Sequence, residues 1–69
     1  MMHLWQFTPK EAEVARMLCE GKSLFEIARE THKTYETVRN QLRVLKSKTD
    51  THTQLQLAVK LIRSEYEHA

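Results

Sequence analysis

Arginines and an asparagine spaced along one helical stretch carry the most suggestive chemistry in this sequence. Residues 35–48 read Tyr35-Glu36-Thr37-Val38-Arg39-Asn40-Gln41-Leu42-Arg43-Val44-Leu45-Lys46-Ser47-Lys48. Val38, Leu42 and Leu45 recur at i, i+4 and i+7, which is the core stripe of an amphipathic helix. At about 100° per residue, Tyr35, Arg39, Asn40, Arg43 and Lys46 fall on the opposite, solvent-facing side. Arginine donates two hydrogen bonds to guanine O6 and N7, and asparagine pairs in the same way with adenine N6 and N7. Arg39, Asn40, Arg43 and Tyr35 are therefore candidates for reading base edges. Thr34, Thr37, Lys46 and Lys48 suit phosphate oxygens, which fix register without carrying sequence information. Helix starts at Ser23 and Thr34 offer backbone amides to the same anions. Every amphipathic helix also needs a solvated face, so the stripe alone leaves DNA binding and plain solvation about equally open.

The elements that must position this face are marked by their starts. Thr8-Pro9-Lys10-Glu11 places a threonine cap, a proline at the first helical position and a glutamate three residues after the cap, with Phe7 just before it. That helix carries Val14, Ala15 and Leu18 on one face and meets Gly21, a left-handed stop. Ser23-Leu24-Phe25-Glu26 repeats the capping box, with Ile27 and Ala28 facing inward. A third cap stands at Thr34, and a fourth at Thr53 with Gln56 in the reciprocal position. The pattern predicts an all-α chain with helices near 9–20, 24–31, 35–47 and 54–66. Its short second helix, turn and longer third helix form a helix-turn-helix.

Composition agrees with this and narrows the function. The chain has 69 residues, one Gly and one Pro, where sheet proteins use many of both at their turns. A single cysteine, Cys19, excludes an internal disulfide and a zinc-thiolate cluster, fits a reducing cytoplasm and is expected as a small buried hydrophobe. His3, His32, His52 and His68 show no metal-ligand spacing. Ser23, Ser47 and Ser64 have no nucleophile context, and no glycine-rich phosphate loop exists. These features imply no enzyme, no cofactor and no metal. No apolar run reaches the roughly 20 residues of a membrane span, and no signal peptide is visible at the start. The net charge of +2 hides polarity: residues 1–31 sum to −1, residues 32–63 to +5 and residues 64–69 to −2.

Four pieces in order resemble the LuxR/GerE-type helix-turn-helix of bacterial transcription regulators. They are Thr8-Pro9-Lys10-Glu11-Ala12-Glu13-Val14, Glu20-Gly21-Lys22-Ser23, Glu26-Ile27-Ala28, and Thr37-Val38-Arg39-Asn40-Gln41-Leu42. The family pattern is approximately T-P-R-E-x-E-V, E-G-x-S, E-I-A and T-V-[KR]-x-H-[LIV], and the resemblance spans residues 7–63. It implies a third helix that enters the major groove, with Arg39, Asn40 and Arg43 at base-facing positions and Thr37, Lys46 and Lys48 near the backbone. It also implies a fourth helix that pairs two domains. The expected organisation is an N-terminal segment at 1–6, the domain at 7–66 and a tail at 67–69. The expected function is duplex DNA binding and transcription regulation in the bacterial cytoplasm, stand-alone or as the C-terminal domain of a longer regulator.

The sequence departs from the family at several points. Thr31-His32-Lys33-Thr34 replaces a turn that normally reads L-G-[IVL]-S, so His32 must adopt the conformation glycine takes easily. Lys33 stands for an apolar anchor, which would loosen or re-aim the turn, and Gln41 stands where histidine is frequent. Leu24 and Phe25 occupy commonly polar positions. Phe25 is expected to fold back over the small core, and the alternative is a protein contact through Leu24 and Phe25. That alternative describes an interaction module that binds or antagonises a regulator or RNA polymerase. A fragment like sigma-factor region four is a third reading, although that element usually lacks the fourth helix.

The fourth helix is apolar on two sides. Leu55, Ala58, Val59 and Ile62, continued by Tyr66, form one stripe, and Leu57 with Leu61 forms another. With the first stripe assigned to the core, Leu57 and Leu61 become the candidate homodimer interface. Such a dimer would set two recognition helices roughly 34–36 Å apart on a palindromic site. The alternative is that Leu57 and Leu61 wrap against Trp5 or Phe7 within one chain.

Overall fold

The computed structural model describes the backbone of residues 5–67 and side chains through Ser64. His3, the Tyr66 side chain, His68 and the end of the tail lie outside the described residues. Four helices follow in order: α1 (Pro9–Cys19), α2 (Leu24–Glu30), α3 (Tyr35–Thr49) and α4 (Gln54–Glu67). Among the described residues there is no strand. The sequence places all four elements, and α3 runs two residues past its expected end at 47.

The helix starts form as their residues dictate. The Glu11 amide donates to Thr8 Oγ1 and the Thr8 amide donates to Glu11 Oε1, at 3.2 and 2.9 Å. Ser23 and Glu26 repeat this reciprocal pair at 3.2 and 2.8 Å. At α4 the box shifts by one residue: the Gln56 amide donates to Thr53 Oγ1, but Gln56 Oε1 accepts from the His52 amide rather than that of Thr53.

Three helices end in the same way, which the sequence marks at Gly21 and His32 but not at Asp50. Gly21, His32 and Asp50 have φ of 86°, 57° and 56°. In each case the next residue's amide reaches back to a carbonyl five residues earlier: Lys22 to Met17, Lys33 to Ala28 and Thr51 to Lys46, at 3.2, 2.9 and 2.9 Å. This is the Schellman closure, which satisfies carbonyls that a helix end leaves orphaned. His32 takes the glycine-like conformation that the altered turn requires of it. The turn closes with the Lys33 amide on the Ala28 carbonyl, without an apolar anchor at residue 33.

The core gathers Val14, Ala15, Met17 and Leu18 from α1, Ile27 and Ala28 from α2, Val38, Leu42 and Leu45 from α3, and Leu57 and Leu61 from α4. Trp5, Phe7, Cys19 and Leu24 pack against it partly buried, and the Trp5 and Phe7 rings stack with centroids 5.8 Å apart. α2 packs on α3, while α1, α3 and α4 pack on one another. Two lysines fasten the C-terminal half of α3. Lys60 Nζ donates to the Thr49 carbonyl at 2.6 Å, and Lys48 Nζ donates to the Gln6 carbonyl at 2.9 Å and to Glu11 Oε1 at 2.6 Å. The buried Thr49 hydroxyl is satisfied by the Leu45 carbonyl at 2.9 Å.

Candidate nucleic-acid interface

α3 buries one face and presents the other. With Val38 and Leu45 fully buried and Leu42 nearly so, the helix cannot roll, and Arg39, Asn40 and Arg43 project into solvent. Tyr35, Arg39 and Arg43 stand at i, i+4 and i+8, one row along the outer surface. Neither arginine enters an ion pair among the described residues. Their charge and all their donors are available to an incoming acceptor, and guanidinium forks match the guanine edge.

The start of α3 differs from those of α1 and α2. Thr34 Oγ1 accepts from the Thr37 amide at 3.1 Å and shares a further hydrogen bond with Thr37 Oγ1 at 2.9 Å. No glutamate folds over this cap, because the third helical position holds Thr37. At Ser23, by contrast, the hydroxyl and the amide are both engaged by Glu26. The Ser23 amide is the largest influence holding the Glu26 carboxyl below the usual carboxylate range, so an anion sits at the start of α2. That carboxylate competes with any other anion for Ser23; at the start of α3 the acidic residue of the first turn, Glu36, does not close over Thr34.

The two terminal lysines of α3 divide. Lys46 is half-buried, and its ammonium enters no ion pair among the described residues. Lys48 turns the other way, into the bridge to Glu11 and Gln6, and its ammonium is the first cause of the lowered Glu11 pKa, ahead of the Thr8 amide. Lys48 is a structural tie between α3 and the start of α1 rather than a free phosphate ligand.

Leu24 and Phe25 also part company. Leu24 packs against the core, so it offers no exposed patch. Phe25 does not fold over the core as the sequence suggests; it remains 69% exposed and stacks on Tyr35, with ring centroids 4.4 Å apart and planes 19° from parallel. Helix periodicity assigns Phe25 to no partner, because the contact joins the second residue of α2 to the first of α3 across the turn.

On α4 the buried stripe is the one expected to face outward. Leu57 and Leu61 are 0% exposed, so they cannot form a contact between copies. The surplus stripe is Leu55, Val59 and Ile62, at 74%, 44% and 36% exposure. A shallow groove beside it is lined by Trp5, Thr51, Leu55, Val59 and Arg63. Among the described residues no cluster of His, Cys, Asp or Glu is arranged to hold a metal, and no helix is long and apolar enough to cross a membrane.

No curated protein matches the chain. A family model does: bacterial regulatory proteins of the luxR family, over residues 6–61. This span covers the capped α1, the helix-turn-helix of α2 and α3, and the core-forming part of α4. The chain belongs to the LuxR family as a helix-turn-helix domain of DNA-binding transcription regulators.

Proposed function

We propose that the domain binds duplex DNA in a sequence-specific manner and regulates transcription from the bacterial cytoplasm, with α3 in the major groove. The observation that carries this is the exposed row of Arg39 and Arg43 on a helix locked by its buried face, with Asn40 alongside. Arg39, Asn40 and Arg43 read base edges, with Tyr35 at the leading end. Thr34, Thr37 and Lys46 meet phosphates. Two copies pair through the outward stripe of α4, Leu55, Val59 and Ile62, which would otherwise stay in water. A two-fold pair of this kind favours a palindromic site with half-sites about one helical turn apart.

The test is a titration against random duplexes at several salt concentrations, followed by selection of bound sequences. The reading expects affinity to fall steeply with salt, through release of counterions from neutralised phosphates, and expects an enriched palindrome. Arg39→Ala or Arg43→Ala should cost about 1–3 kcal/mol of discrimination at one base position each and leave the fold intact. Wild-type binding by both variants, or no salt-dependent binding by the native chain, overturns it.

A further inference from the structure

We propose that the Phe25–Tyr35 stack is a thymine sensor, whose apolar edge meets the C5-methyl group of a thymine at the margin of the site engaged by α3. The inference rests on the DNA-binding reading above and adds a contact that neither arginines nor phosphate ligands supply.

Three observations lead to it. First, Phe25 is 69% exposed although it is the second residue of a helix whose Leu24, Ile27 and Ala28 all reach the core. A ring this exposed contributes little burial to the free domain. Second, it is held rather than loose: it lies against Tyr35 at 4.4 Å and 19°, so the two rings form one flat-sided block. Third, Tyr35 leads the outer row that continues through Arg39 and Arg43, so the block stands at the amino-terminal end of the recognition helix. In helix-turn-helix complexes that end approaches base edges most closely.

The chemistry of the block selects its target. Stacked hydrocarbon rings have no donor for a phosphate apart from the Tyr35 hydroxyl, and their faces carry partial negative charge. Guanine, adenine and cytosine present polar atoms in the major groove, and only thymine adds an apolar methyl group. Phe25, stacked on the residue that leads the row of Arg39 and Arg43, therefore fits a methyl at the groove edge, flanking the bases that the arginines read.

The experiment uses the selected duplex and replaces each thymine singly with deoxyuridine, which removes the methyl and keeps all pairing. Native protein is expected to lose about fourfold in affinity at one thymine per half-site. Phe25→Ala should bind the thymine duplex more weakly and lose the distinction between thymine and deoxyuridine there. Phe25→Leu should keep part of it, and Arg39→Ala should keep it whole while weakening binding overall. Salt-dependent duplex binding with no thymine-to-deoxyuridine effect at any position overturns the sensor and leaves the DNA reading standing. An effect that survives in Phe25→Ala assigns the methyl contact elsewhere and also overturns it. Phe25→Ala binding both duplexes as native protein does would return the block to a protein partner. Absence of duplex binding altogether overturns both readings.

Discussion

The Lys48 ammonium lies 2.6 Å from the Glu11 carboxylate across a separation of 37 residues. This joins the last turn of α3 to the first turn of α1 and engages the Lys48 ammonium there. Lys48→Ala should therefore lower unfolding stability by about 0.5–1 kcal/mol, the range for a partly exposed pair. It should leave the salt dependence of DNA binding unchanged. Lys46→Ala should do the reverse, with little stability change and a salt slope smaller by about one unit. Urea melts and salt-series titrations of the two variants distinguish the roles.

Acid should weaken the fold through the same carboxylate. Glu11 is held below the usual range first by the Lys48 hydrogen bond and then by the Thr8 amide, and Glu26 first by the Ser23 amide. A carboxyl with a depressed folded-state pKa stabilises above its unfolded value, about 4.3, and that stabilisation is lost as pH falls through the folded value. Stability should be flat above roughly pH 5 on this account and fall below about 4.3. The pair Glu11→Gln and Glu26→Gln preserves hydrogen-bonding shape without charge, and its denaturant midpoint should decline less steeply over that interval.

His32 carries a cost that its position in the turn imposes. Its φ of 57° is the left-handed region where a side chain crowds its own backbone. His32→Gly should relieve this and raise stability by about 0.5–1 kcal/mol, after the larger chain entropy of glycine is counted. For a domain of this size that is a rise of several degrees, about 4–8 °C per kcal/mol, in the thermal midpoint.

The two stripes of α4 should separate folding from association. Leu61→Ala removes a fully buried side chain and should cost about 2–5 kcal/mol, enough to unfold much of a domain this small. Leu55→Ser changes a residue that is 74% exposed, so it should leave the monomer within about 0.5 kcal/mol of native stability. It should instead weaken self-association and the cooperativity of binding to a palindrome. Sedimentation and denaturation of both variants test the assignment, and loss of stability in Leu55→Ser without loss of association would refute it.

The parts of this molecule that obey local rules were legible in its residues. Thr8-Pro9-Lys10-Glu11 and Ser23-Leu24-Phe25-Glu26 name their own helix starts, because a capping box is satisfied within four residues. The buried face of α3 follows from its spacing for the same reason. The faces of α4 do not follow, since Leu57-Leu61 and Leu55-Val59-Ile62 are both correctly spaced stripes. Only the packing of α1 and α3 decides which one turns inward. The contacts of Lys48 and Phe25 are hidden from the sequence for a related cause. Their partners, Glu11 and Tyr35, sit on other elements, and no local pattern announces them. Asp50 closes α3 as Gly21 closes α1, a role that aspartate accepts at modest cost but does not advertise.

Because Leu57 and Leu61 hold the fold while Leu55, Val59 and Ile62 face outward, α4 keeps its structural face and its proposed pairing face on different sides. Changes to the outward side carry little folding penalty, so under the proposed pairing the choice of mate would be free to drift. Duplicated genes bearing this domain would then grow deaf to one another, each forming only its own pairs, while keeping an unaltered α3.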